Sequence, residues 1–160
     1  MEQTAKKYSK QWLAACVAVA VCTAFIWGNS VLPASGSSQE SQQVMAWLSP
    51  LLDAFRIPGE IRHTLVRKLA HMSEFGLLGM LWSSVLFRDA AGRALANRVC
   101  MTGVLCLVTA LLDETIQLFS PGRGSLISDV WIDFAGACLG ILAAMVIRQL
   151  RIATKIRKRK

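Results

Sequence analysis

The chain is predicted to be an all-α membrane protein: four transmembrane helices in one bundle, with short interfacial helical pieces between the first two. Three observations predict this. Hydrophobic residues make up 54% of the 160 positions and mean hydropathy is +0.44, above the norm for soluble domains. Four apolar runs cross the sequence, and a span needs about 20 such residues. Lys68, His71, Glu74, Asp113, Glu114, Arg123, Asp129 and Asp133 lie in or beside three of those runs. Charge at membrane depth is costly, so such residues usually face a bundle interior and mark a functional site.

The length suits one domain. It divides into an amino-terminal segment at 1–10, a transmembrane domain at 11–147 and a basic tail at 148–160. The first helix is predicted at about 11–32, after Lys6, Lys7 and Lys10, with Trp12 and Trp27 suited to the two interfaces. A cleaved signal peptide, using Ala34 and Gly36, is the rival reading. The apolar run is long for that, so a retained anchor is favoured. A Ser- and Gln-rich loop follows at 33–43. From 44 to 55, Val44, Leu48, Leu51, Leu52 and Phe55 recur at helical spacing. That segment is too short to span and reads as one or two amphipathic pieces on the membrane surface, with Pro50 starting a fresh turn.

The second helix is predicted at about 66–87, and a short basic loop carries Arg88, Arg93 and Arg98. The third helix, at about 99–119, ends at Ser120-Pro121-Gly122-Arg123-Gly124-Ser125, a strong turn signal. The fourth, at about 129–147, has Ser128 as candidate N-cap. Its Gly136 and Gly140 form GxxxG; packing within the chain is favoured over a homo-oligomer face. Cys16, Cys22, Cys100, Cys106 and Cys138 sit inside apolar runs without CxxC spacing and read as small buried hydrophobes.

Lys and Arg placement sets the expected orientation. Thirteen lie at the amino terminus, the second short loop and the tail, against five elsewhere. The positive-inside rule then puts both termini in the cytoplasm and makes the chain a multi-pass protein of the cytoplasmic membrane. A basic tail directly after an apolar helix reads as an anchor to anionic lipid, and nucleic acid is not an expected partner.

In this topology all the intramembrane charges fall in the outer leaflet. Lys68, His71 and Glu74, three apart, form a stripe on the second helix. Glu114 and Gln117 share a face of the third, and Asp129 and Asp133 a face of the fourth. The three stripes can meet in one outward-facing pocket. No charged path continues inward, which argues against a transporter.

Several of these residues together resemble the VanZ-like family. They are Lys68-Leu69-Ala70-His71 opening a helix, Glu114-Thr115-Ile116-Gln117, Pro121-Gly122-Arg123, and Ser128-Asp129 leading to Gly136 and Gly140. The resemblance covers about 65–146. It implies a membrane protein of the cell envelope, associated with low-level resistance to glycopeptide antibiotics, teicoplanin especially; it supplies no reaction. The family generally has Asn where this chain has Asp133. A role that only donates a hydrogen bond would need Asp133 protonated or beside a cation.

Anion binding is the favoured reading of the cluster. Lys68 and Arg123 lie near the headgroup level, Gly122 and Gly124 leave backbone amides accessible, and the start of the fourth helix adds its positive dipole end. The expected ligand-binding set is Lys68, His71, Glu114, Gln117, Arg123, Asp129 and Asp133, and the expected partners are membrane lipids and an envelope-lipid or wall-precursor headgroup. Catalysis stays open: an intramembrane enzyme would use His71, Glu74 and Glu114 as acid–base candidates, and no nucleophile elbow or triad order is visible. A structural partner for another membrane protein is a third reading. His71 and Glu74, completed by Asp113, Glu114 or Asp129, could reach one ion. No HExxH or second clear His ligand supports this, so no metal and no cofactor are expected.

Overall fold

The computed structural model describes residues 2–32, 45–87 and 94–158, with side chains from Lys10 onward. The predicted 33–43 loop, the candidate cleavage site at Ala34 and Gly36, Arg88, Arg93, Arg159 and Lys160 lie outside the described residues. Five helices follow in order: α1 Glu2–Val31, α2 at 45–54, α3 Gly59–Leu86, α4 Leu95–Leu118 and α5 Ile127–Arg157. There is no strand among the described residues.

Three segments are long and apolar enough to cross a membrane: Lys10–Val31, Leu95–Leu118 and Ile127–Arg157. The second predicted span, α3, is 28 residues long but is not among them. Its first four turns and a little beyond, 59–74, carry Glu60, Arg62, Arg67, Lys68, His71 and Glu74, which lower its hydropathy. Inside the assembly α3 packs most extensively against α5 and also touches α1 and α4. The core joins Val19, Cys22 and Ile26 of α1, Phe75, Leu78 and Val85 of α3, Cys106 and Ala110 of α4, and Val130 and Ala137 of α5. The outer surface is also apolar. Leu13, Val17, Val21 and Phe25 form an exposed stripe on α1, and Leu139, Leu142, Val146 and Leu150 an exposed series on α5. So much contiguous apolar surface is unusual for a protein in water and is what lipid contact requires.

The α3–α5 contact is close because its residues are small. A Cβ on Gly136 would collide with the Met72 carbonyl oxygen, and one on Gly140 with the Gly76 carbonyl oxygen. The GxxxG face of α5 is therefore turned toward α3, with the backbones nearly touching.

Helix ends depart from the expected boundaries for local reasons. α3 begins at Gly59 rather than near residue 66, because Pro58 (φ −59°) starts the helix and Glu60 in the first turn complements the dipole. α5 continues past 147 through the basic segment to Arg157, with Lys155 and Arg157 favourable at its carboxyl end. Pro50 does not start a new turn. It lies within α2, where its missing N–H would have met the Ala46 carbonyl, and the Ser49 hydroxyl donates to that carbonyl instead, at 2.9 Å. α2 ends in a Schellman motif: Ile57 N–H reaches Leu52 O and Arg56 N–H reaches Asp53 O, each at 2.9 Å, with Arg56 at φ 53°. Arg62 holds this corner to α3, bonding the Ile57 carbonyl at 2.8 Å and Asp53 at 2.7 Å. Trp27 is half-buried against the core, with its indole N–H enclosed and unpartnered among the described residues.

Candidate functional site

The carboxyl ends of α1 and α4 and the amino-terminal halves of α3 and α5 converge, and nearly every polar residue singled out in the sequence gathers there. Asp113 is at the centre. It is fully buried, accepts the Ser30 hydroxyl of α1 on Oδ1 at 2.6 Å, and accepts Gln117 Nε2 on Oδ2 at 3.0 Å. Gln117 also donates to Ser30 Oγ at 3.3 Å and accepts Arg67 Nη2 at 3.2 Å. Ser120 donates to the Ser30 carbonyl at 2.6 Å, tying the end of α1 to the turn after α4.

The stripe on α3 fans out across three neighbours. Lys68 Nζ pairs with Asp129 Oδ1 of α5 at 2.8 Å. His71 Nδ1 stands 3.9 Å from Asp113 Oδ2 and 4.0 Å from Asp133 Oδ1. Glu74 Oε1 accepts Asn29 Nδ2 of α1 at 3.4 Å, a long bond, while its Oε2 is buried without a partner among the described residues. Helix geometry explains the spread: each three-residue step falls about 60° short of a full turn, so Lys68 and Glu74 point about 120° apart.

Arg123 pairs with neither Asp129, which Lys68 takes, nor Glu114, whose Oε2 accepts the Leu126 amide at 3.2 Å and so steadies the turn into α5. One expected role changes. Ser128 is not an N-cap. Leu126 holds that position, and Ser128 lies in the first turn, donating to Asp129 Oδ1 at 3.2 Å. Arg123 follows Gly122, whose φ of 74° shapes the turn, and its Nε and Nη1 are buried with no hydrogen-bond partner among the described residues. Burial, then the neighbouring Arg67, push its pKa below the ordinary value, against the pull of Asp113, Glu114 and Glu74. Guanidinium stays charged regardless.

Sequence reasoning missed Asn29, Ser30, Arg67 and Ser120, and left Asp113 out of the ligand-binding set. Asp113 and Gln117 are four apart, a helical pairing as available as the three-residue Glu114–Gln117 match. Asn29-Ser30 at the end of an apolar run carries no such signal.

The cavity among these side chains, bordered by Lys68, His71, Asp129 and Asp133, is about 10 Å³, roughly one water or one small ion. A larger apolar groove of about 410 Å³ lies between α4 and α5, lined by residues such as Gly103, Leu107, Phe134 and Cys138. Among the described residues, one group could ligate a cation: His71, Asp113 and Asp133 each offer an atom, all within 4.8 Å of one another.

A family model described as VanZ/LLP1 matches residues 13–148. No curated protein and no solved structure matches the chain significantly.

Proposed function

This chain belongs to the VanZ/LLP1 family, and from that premise we propose that it is a cell-envelope membrane protein whose polar cluster holds the anionic headgroup of an envelope lipid or wall precursor. In this reading α1, α3, α4 and α5 form a four-helix transmembrane bundle. Both termini face the cytoplasm and the cluster opens toward the outer surface. Occupying such headgroups lowers susceptibility to glycopeptides such as teicoplanin.

The observation that carries the proposal is the Arg123 guanidinium, with two nitrogens enclosed and unpaired. Leaving a buried donor unsatisfied costs about 1–3 kcal/mol, more when it is charged. A phosphate or carboxylate is the partner its planar fork matches best. Lys68, by contrast, is committed to Asp129. The small inner cavity leaves no room for a headgroup among the carboxylates, so the headgroup sits at the Arg123 turn, with acyl chains along the apolar outer surface.

The test is teicoplanin susceptibility in a sensitive host expressing wild type or Arg123→Gln, with membrane levels of both measured. Wild type is expected to raise the inhibitory concentration and the variant to lose that protection at equal abundance. Equal protection by Arg123→Gln would end this reading. His71→Gln and Glu114→Gln in the same host probe the catalytic alternative.

A further inference from the structure

Asp133 is 1% exposed, yet it makes no hydrogen bond among the described residues, and its Oδ2 is buried without a partner. His71 Nδ1, facing it, is in the same position. A buried carboxylate and an imidazole that can touch ordinarily close to hydrogen-bond distance. Here His71 Nδ1 stays 4.0 Å from Asp133 and 3.9 Å from Asp113, while Asp113 is held in place by Ser30 and Gln117. The three groups surround a gap of ionic width. Ligands about 2.0–2.2 Å from a common metal ion lie roughly 3.0–3.5 Å apart, and the three atoms here lie within 4.8 Å of one another, so side-chain shifts of about an ångström would close this set around one ion.

Charge balance points the same way. Glu74, Asp113, Glu114, Asp129 and Asp133 face only three permanent cations, Arg67, Lys68 and Arg123. With His71 neutral, as a metal ligand must be, and all five carboxylates ionised, the cluster would carry two more negative than positive charges, an excess that protonation or a divalent ion removes from a low-dielectric interior. A divalent ion cancels that excess. Hydrogen bonds from Ser30 and Gln117 to Asp113 are the outer partners that orient a ligating carboxylate.

We propose that His71, Asp113 and Asp133 form a divalent-cation site joining α3, α4 and α5. One imidazole and two carboxylates favour a borderline ion such as Zn²⁺ or Mn²⁺ over Ca²⁺ or Mg²⁺, which prefer oxygen alone. The site does not depend on the headgroup reading: it stands on the geometry of His71, Asp113 and Asp133 and not on the unpaired nitrogens of Arg123.

The experiment uses the full chain purified in detergent, stripped with chelator and dialysed against Zn²⁺ or Mn²⁺, with bound metal measured. Wild type is expected to retain about one equivalent of one of these ions. Asp133→Asn and His71→Gln should bind at least about tenfold more weakly, and exposed His63→Gln should bind as wild type does. Uptake unchanged by Asp133→Asn, or no uptake of either ion by wild type, overturns the proposal. Because the variants could fail to fold, the melting temperature of stripped wild type is also measured with and without the two ions. An ion that joins three helices must raise it, and no rise with either ion overturns the site as well.

Discussion

Asp113 depends on a residue far away in sequence. The Ser30 hydroxyl at 2.6 Å is one of its two hydrogen-bond donors, and Asp113 has no access to solvent. Ser30→Ala is therefore expected to cost about 1.5–3 kcal/mol, the range for hydrogen bonds to charged groups. A lower melting temperature in detergent would show it, and an unchanged one would mean that the carboxylate finds another donor. The ionisable part of the cluster, Arg67 excepted, was legible in the sequence because charge inside an apolar run has no neutral explanation. Of the neutral part only Gln117 was. Asn29 and Ser30 suit any helix end, and nothing local says that they reach across to Glu74 and Asp113. Pairing was harder to read than membership. Three-residue spacing placed Lys68, His71 and Glu74 on one face, and the remaining rotation of the helix delivers them to three different partners.

Between helices, backbone proximity sets the tolerance for change. Gly140→Val would drive side-chain carbon into the Gly76 carbonyl, so α3 and α5 must separate. The expected outcome is loss of folded protein, at a cost of at least about 1–3 kcal/mol. Gly28→Ala, with nothing within 4 Å of the added carbon, should melt as wild type does. The Schellman corner after α2 invites the opposite change. Arg56 occupies a left-handed conformation at φ 53° that costs a non-glycine residue about 1 kcal/mol. Arg56→Gly should therefore raise stability slightly, by up to about 1 kcal/mol, readable as protection of the 45–54 helix from proteolysis. The existence and order of the helices followed from hydropathy. Their ends did not, because α5 has no breaker at 147 and its basic turns continue the helix, while Pro58 starts α3 before any apolar pattern is visible.

For the molecule as a whole, α5 is the longest axis. Its 31 residues extend about 46 Å, against roughly 30 Å of hydrocarbon, so its basic end reaches past the bilayer. In a cysteine-free chain, Trp47→Cys should react with an impermeant maleimide in intact cells, and Thr154→Cys only after permeabilisation. The reverse pattern would put the cluster on the cytoplasmic side. The assembled packing also constrains how the protein is made. α3 emerges from the ribosome before the helix that neutralises it. Lys68 and Asp129, its partner on α5, are 61 positions apart, so at ~5–20 residues per second Lys68 waits roughly 3–12 s for that carboxylate. During that interval α3 has only α1 and α4 to pack against. A nascent chain halted at Arg123 should leave α3 extractable or degraded, and one extended through α5 should not, because the closest packing of α3 is against a helix not yet made.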